Sequence, residues 1–259
     1  MNIGIIGTGN IAAYLLEQIN VNQLVDGKIT AVFGRNKRVG PRLSEQYHID
    51  FYTNIEEFLN TPLDIVVEAS TIEAASLYVE DVVAHKKDLV VSSIGVFKET
   101  AFLDRVKELA ASLGTTVFLP SGAIGGLDVL QSAKAAGGLT RVQITTRKSP
   151  ASLGIESEEE QIVFEGSAYQ AVEKFPKNVN VALVLAIAGI GVEKTNVRVI
   201  VDPAVTQNSH VIEAEGDFGR MELKVENNPM LSNPKTSLLA ALSILSVLQN
   251  KESALRIGN

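Results

Sequence analysis

The 259-residue sequence contains no cysteine. That excludes disulfides, a thiolate nucleophile and any cysteine-ligated metal or cluster. Histidine is scarce, with three in the chain, so the search for a group that transfers protons near neutral pH is short. Positive charge is in deficit: 23 Lys and Arg against 30 Asp and Glu leave a formal charge of −7. Nucleic acid is therefore not an expected partner, and an anionic ligand must be received by a local positive pocket instead of the overall field. Long apolar runs are missing too. The longest, 181–192, is too short to span a bilayer and fits a buried helix, so no membrane partner is expected. The first apolar strand begins at residue 2 and leaves no room for a signal peptide, which makes a cytoplasmic location the expectation. What remains, 46% hydrophobic and 20% charged, has the composition of a globular protein large enough for one big domain or two modest ones.

The chain opens Met1-Asn2-Ile3-Gly4-Ile5-Ile6-Gly7-Thr8-Gly9-Asn10-Ile11-Ala12, an apolar strand running into a Gly-x-Gly-x-x-Ala turn. Gly7 permits a tight turn off the strand, Gly9 permits close approach to a pyrophosphate, and Ala12 lets the next helix sit near the sheet. Free N–H groups at that helix start suit phosphate. Gly7, Thr8, Gly9, Asn10 and Ile11 are thus candidate cofactor residues. A second absence narrows the cofactor. The next strand, 29–33, ends in Gly34-Arg35-Asn36, where an NAD site usually carries an acidic residue for the ribose hydroxyl. Asp26 lies before that strand, at the wrong end. With no carboxylate to repel a 2′-phosphate, and Arg35 beside Asn36 to grip it, the pattern favours NADP, with NAD possible. Alternatively Arg35 is a solvated loop charge.

Strand-like runs at 2–6, 29–33, 65–68, 89–92 and 116–119 alternate with helical stretches at 11–19, 41–47, 71–85 and 100–113. Such alternation predicts right-handed crossovers and a Rossmann-type doubly wound parallel sheet. Its strand ends Glu68-Ala69-Ser70 and Ser92-Ser93-Ile94-Gly95 would line the nicotinamide side, making Ala69 and Ser70 further cofactor candidates. After Ser121 the texture changes to period-two runs at 141–148, 161–165, 196–201, 210–215 and 220–226, with a hairpin turn at Gly216-Asp217-Phe218-Gly219. Helices at 127–136, 167–174 and 181–189 would cover one face of this mixed, largely antiparallel sheet. The expected organisation is a dinucleotide-binding domain over 1–120 and an α+β substrate, catalytic and oligomerisation domain over 121–233. A last helix from 234, with Leu238, Leu239, Leu242, Leu245 and Leu248 at helical spacing, would return to the first domain. The sheet face left uncovered by helices suggests a homodimer or larger homo-oligomer.

His48 and His85 read as solvated. His210 shares a strand face with Ile212 and Ala214, opposite Glu213 and Glu215. A lone histidine there is either a satisfied core residue or an acid–base group. Ser121 and Gly122 sit in a glycine-rich segment able to present successive N–H groups to a carboxylate, or to serve as a hinge. Arg147 and Lys148 end a strand and can pair with a substrate carboxylate or stay solvated. Asn180 opens the apolar helix as a cap or a cofactor contact. Asp128 and Lys134 read as surface charges, and no clustered metal-ligand pattern accompanies His210.

Several motifs together resemble the L-aspartate dehydrogenase family. They are Ser121-Gly122-Ala123-Ile124-Gly125-Gly126-Leu127-Asp128, Thr146-Arg147-Lys148-Ser149-Pro150, Phe175-Pro176-Lys177-Asn178-Val179-Asn180-Val181 and Asn208-Ser209-His210-Val211-Ile212. The resemblance implies oxidation of L-aspartate, a small dicarboxylic amino acid, by NAD or NADP to iminoaspartate. That product hydrolyses to oxaloacetate and ammonia and can feed nicotinamide cofactor synthesis. It also implies that His210 is the active-site histidine and that Ala123 and Asn180 contact the cofactor. Gly34 departs from relatives that carry Asp there, which weakens NAD preference and strengthens the NADP reading. A dehydrogenase for another small amino or imino acid, or a non-catalytic NADP-binding regulator, are the alternatives.

Overall fold

The apolar runs of the first 120 residues pair as parallel strands, and their connections are long enough to cross over as helices. In this computed structural model, which describes residues 1–175, 180–230, 233–255 and 257, the chain forms two units. One comprises Met1–Pro120 with Ile244–Ala254, the other Ser121–Ser243 with Leu255–Asn259.

The first unit runs β1 (Asn2–Ile6), α1 (Asn10–Leu16), β2 (Lys28–Phe33), α2 (Val39–Tyr47), β3 (Asp50–Tyr52), α3 (Ile55–Leu59), β4 (Ile65–Glu68), α4 (Ile72–Ala84), β5 (Asp88–Val91), α5 (Thr100–Leu113) and β6 (Val117–Phe118). Its sheet order is β3-β2-β1-β4-β5-β6 and every pairing is parallel. The strand order reverses between β1 and β4, the place where such sheets bind ligands at their carboxyl ends. Ile3 and Ile5 of β1, and Ile65 and Val67 of β4, are fully buried, as expected for strands covered on both faces.

Three local features differ from the sequence expectation. The first helix is α-helical to Leu16 and then widens into a π-helical turn over Glu17–Val21. β3 and α3 were not expected, because three and five residues are too few to show a period. The Asn54 side chain starts α3 by accepting from the N–H groups of Glu56 and Glu57. A short 3-10 segment, Ile94–Lys98, kinked at Phe97, follows β5.

The second unit contains α6 (Leu127–Ala135), β7 (Leu139–Lys148), α7 (Pro150–Leu153), β8 (Gln161–Ser167), α8 (Ala168–Lys174), α9 (Asn180–Ala188), β9 (Asn196–Val201), β10 (Asn208–Gly216), β11 (Gly219–Asn227), β12 (Pro229–Met230), β13 (Asn233–Ser237) and the start of α10 (Leu238–Asn250). Its main sheet has the order β11-β10-β7-β9-β8, antiparallel except for the β7–β9 pair. The fold class is thus a Rossmann-type doubly wound sheet plus an α+β unit with a mixed, mostly antiparallel sheet. Helices α6 and α8 pack on the sheet, and α9, apolar all round, packs against both. The opposite sheet face is polar, with cross-strand pairs such as Arg141 to Glu215 at 3.1 Å and Arg198 to Glu165 at 2.7 Å.

The helix expected from residue 234 starts later. Residues Asn233–Ser237 form β13 against β12, and the helix begins at Leu238. The Asn233 side chain donates to Thr236 Oγ1 at 2.9 Å, a local bond that competes with helix formation. The buried stripe is also shifted: Ala241, Ile244, Leu245 and Leu248 are buried, whereas Leu242 is 38% exposed. Ile244, Leu245 and Leu248 join the first unit's core together with Leu16 and Ile29. Among the described residues no helix is long and apolar enough to cross a membrane.

This register predicts that Leu245→Ala lowers stability by about 2–5 kcal/mol in urea unfolding, while Leu242→Ala changes it by about 0.5 kcal/mol or less.

Candidate functional site

At the end of β1 the chain turns sharply between the ends of its neighbours. The Gly7 N–H donates to the Phe33 carbonyl at 2.8 Å, and the Ala69 N–H donates to the Ile6 carbonyl at 2.9 Å. Gly7 has φ of +125°, and a Cβ built on it would lie 2.4 Å from the Ala69 carbonyl oxygen. No other residue fits there. Around a Cβ built on Gly9, by contrast, no atom lies within 4 Å, so the backbone faces open space. α1 begins immediately after it with neither a side-chain cap nor an acidic residue in its first turn. The unmatched N–H groups and the helix dipole favour an anion there.

These groups border a cleft of about 300 Å³ in the first unit. Of the residues expected at the cofactor, Gly7, Thr8, Gly9, Arg35, Asn36, Ala69 and Ser70 line it, along with the edge-to-face pair Phe33 and Tyr78. Asn10 and Ile11 follow in the first turn of α1 and do not line it. An open backbone at Gly9, an uncapped helix start and a neighbouring cationic loop fit a dinucleotide.

The loop after β2 explains the charge. Gly34 is buried, and a Cβ on it would lie 2.7 Å from Thr8 Cγ2. Arg35, Lys37, Arg38 and Arg42 are exposed, and among the described residues no carboxylate pairs with any of them. Asn36 acts locally, its Oδ1 accepting from the N–H groups of Arg38 and Val39 at 3.0 and 3.1 Å and so fixing the start of α2.

In the second unit, strand register sorts the remaining candidates. His210 pairs with Thr146 across β10 and β7, and Ser209 with Arg147. Directly opposed residues share a face, and neighbours along a strand alternate. Thr146, Lys148 and His210 therefore share the buried face with Val142, Ile144, Ile212 and Ala214. The Thr146 hydroxyl lies 2.9 Å from His210 Nδ1. Burial, and then the Lys148 charge, push the His210 pKa down to about 3. Burial alone lowers Lys148 to about 8. Thr146, which the sequence did not single out as a candidate, joins the group beside His210, as Phe33 and Tyr78 join the lining of the first unit's cleft. The signal for Thr146 was its place two residues before Lys148, which acquires meaning only once the β7–β10 register is known.

Arg147 does not join this group. It points to the opposite face, where Glu160 and Asp202 each hold its guanidinium at 2.6 Å. Gly122 is also engaged internally: its N–H donates to Ser243 Oγ at 3.1 Å, so this position does not offer a free donor to a carboxylate. Ser121 precedes it, half-buried. Ala123 is buried, and its carbonyl accepts from Asn227 Nδ2 at 2.9 Å. Asn180 is the first residue of α9. Pro176, Lys177, Asn178 and Val179 of its motif lie outside the described residues. His85 is half-buried, not solvated: its Nδ1 bonds the Asp81 carbonyl at 2.8 Å and its Nε2 lies 3.3 Å from Glu56. His48 is exposed and ends α2 in a left-handed conformation. Among the described residues no group of three or more potential metal ligands forms.

A family model described as "Aspartate dehydrogenase, C-terminal" matches residues 128–251, and one described as "Homoserine dehydrogenase, NAD binding domain" matches residues 7–120. The L-aspartate dehydrogenase of Archaeoglobus fulgidus is 38% identical, with 98% of this chain and 99% of that protein covered. The chain belongs to the aspartate dehydrogenase family. The L-aspartate dehydrogenase of Methanococcoides burtonii is likewise 38% identical, covering 100% of this chain and 99% of its own. The crystal structure of aspartate dehydrogenase from Thermotoga maritima superposes with a TM-score of 0.82 at 32% identity, covering 100% and 99% of the two chains. A structure of GenD2 in complex with NAD, 12% identical with a TM-score of 0.59, shares the fold alone. In this aspartate dehydrogenase family member the first unit carries an NAD-binding type of domain.

The buried His210 is expected to stay neutral in the ligand-free protein. Its ring resonances should show no titration between about pH 5 and 8 by NMR, whereas an ordinary histidine titrates near pH 6.5.

Proposed function

We propose that the protein is an L-aspartate dehydrogenase that prefers NADP, with the first unit holding the dinucleotide and the second acting on the substrate. The observation that carries this reading is the shared buried face of Thr146, Lys148 and His210, together with a β2 end that has cations and no carboxylate.

Gly7, Thr8, Gly9 and the start of α1 would hold the pyrophosphate. Arg35 would grip the 2′-phosphate with parallel N–H bonds, a geometry that lysine cannot reproduce. Ala69 and Ser70 border the same cleft, and the family resemblance adds Ala123 and Asn180 as cofactor contacts. When bound, the nicotinamide supplies the oxidising equivalent by accepting the substrate's α-hydrogen with its electron pair.

The chain's own groups manage protons and charge. Burial keeps the His210 ring neutral but also makes it a weak base in the ligand-free protein, so its role as base requires the bound dicarboxylate to raise its pKa toward neutrality. In the tautomer whose Nδ1–H donates to Thr146 Oγ1, Nε2 carries the lone pair and would receive a proton, from the substrate ammonium or from the water that adds to the imine carbon. Lys148, on the same face, pairs with a substrate carboxylate. Arg147 is excluded from that role by its two carboxylate partners on the other face. A negatively charged substrate also offsets the unfavourable burial of the Lys148 ammonium.

Mixing the protein with L-aspartate and NADP or NAD, and following the reduced nicotinamide by absorbance, tests the activity. Turnover should be faster with NADP. His210→Ala should lower kcat by about 10²–10⁴-fold while dinucleotide binding persists. Gly34→Asp places a carboxylate toward the 2′-phosphate and should shift the preference to NAD by about tenfold or more. Turnover only with another amino acid would overturn the substrate assignment.

Lys148 loses its proton as pH rises through about 8. The KM for aspartate is therefore expected to rise above that pH as the attraction disappears, with the KM for the dinucleotide unchanged; a flat aspartate KM would remove Lys148 from the carboxylate site.

A further inference from the structure

Glu68 is the last residue of β4 and only 1% exposed, in a strand whose other residues, Ile65, Val66 and Val67, are wholly apolar and buried. Its carboxylate meets four donors. Oε1 accepts from the Ser70 N–H at 2.8 Å, the Ser70 hydroxyl at 2.7 Å and the Ser93 hydroxyl at 2.9 Å, and Oε2 accepts from the Ser93 N–H at 2.9 Å. The Glu68 carbonyl also accepts from the Ser92 N–H at 3.0 Å. One side chain thus ties together the segments that leave two successive strands, β4 and β5.

Net stability is a weak reason to place a carboxylate here. A buried carboxylate costs desolvation energy that its hydrogen bonds at best offset, and apolar replacements of buried ionic groups are often neutral or stabilising. What the arrangement does supply is position. Ser70 and Ala69 line the dinucleotide cleft, and the Ala69 carbonyl is the atom against which Gly7 closes. Holding Ser70 therefore holds the wall facing Gly7-Thr8-Gly9, while holding Ser93 fixes the start of the 3-10 turn whose Ile94 and Phe97 are buried.

We infer that Glu68 is the positioning residue of the cleft, clamping the β4 and β5 ends so that the wall at Ala69 and Ser70 is formed before the cofactor arrives. The inference rests on the dinucleotide reading of that cleft. Glu68 itself does not line the cleft and acts through Ser70 and Ser93.

Glu68→Gln tests the clamp with almost no change in shape. A carboxylate only accepts, whereas an amide in either orientation turns its NH₂ toward a backbone N–H, that of Ser93 or, if flipped, that of Ser70. One buried donor then loses its acceptor. In the intact protein, the Kd for NADP or NAD by calorimetry, and the corresponding KM, should rise roughly tenfold. The KM for aspartate should stay within about twofold, a split that a general loss of structure would not produce. Ser93→Ala removes one hydroxyl donor and should move the Kd in the same direction by less, which keeps the test available if Glu68→Gln folds poorly. Val90→Ala, in the buried interior of β5, is the control: it should lower Tm and leave the Kd unchanged.

A wild-type Kd in Glu68→Gln and Ser93→Ala would overturn the inference. So would a Kd rise in Val90→Ala equal to that of Glu68→Gln at a similar loss of Tm. Failure of the unmodified protein to bind either dinucleotide would instead refute the cleft reading, and the clamp's function with it.

Discussion

The backbone of Gly7 approaches the Ala69 carbonyl too closely for any side chain to stand between them, and the shape of the first unit's cleft depends on that approach. It is possible because β1 and β4 are adjacent and parallel, so that both chains leave the sheet at the same edge. Buried apolar strands impose that pairing, since neither face of β1 or β4 tolerates water. Once the turn is made, Gly9 faces open space and α1 starts without a cap. A group with several phosphate oxygens would satisfy the N–H groups that the fold leaves unmatched. Glu68 and its four donors hold the opposite wall. The cleft is therefore a consequence of strand order and close backbone contact, with side chains adding selectivity at its edge.

The proposed selectivity for NADP rests on what the β2 end omits. A side chain at position 34 would press on Thr8, and a carboxylate there would face a 2′-phosphate across a low-dielectric contact. Gly34 avoids both, and Arg35, Lys37, Arg38 and Arg42 supply positive charge locally in a chain that is negative overall. The local field and the net charge have opposite signs, and screening leaves the local one dominant at contact distance.

In the second unit a different constraint operates. Strand alternation sends Thr146, Lys148 and His210 to the covered face and Arg147 to the open one. Burial then sets the chemistry: the same desolvation that favours a neutral imidazole weakens the hold of Lys148 on its proton. Arg147, beside two carboxylates, remains a structural cation. Adjacent residues with similar charge thus acquire unlike roles through the period of the strand alone.

Much of this was legible in the residues. The glycine turn, the alternation of strands and helices, the hairpin at Asp217-Phe218 and the face carrying His210 with Ile212 and Ala214 follow from local conformational rules and from hydrophobic period. Such rules act over a few residues and are written directly in the chain. What they did not reveal depends on partners distant in sequence. The three-residue β3 and the five-residue α3 exist because longer neighbours hold them. The start of α10 was displaced by β13, which forms only because β12 lies beside it. Arg147 could not be distinguished from Lys148 without Glu160 and Asp202, nor Thr146 noticed without the register to His210. Glu68, expected to line the nicotinamide side, is instead turned to Ser93, 25 residues away, and does not line the cleft. The sequence by itself determined which segments turn, extend or coil, because those preferences are short-range. Tertiary structure alone decided which polar groups meet in the dry interior, because burial and pairing are properties of the folded neighbourhood and not of any residue in isolation.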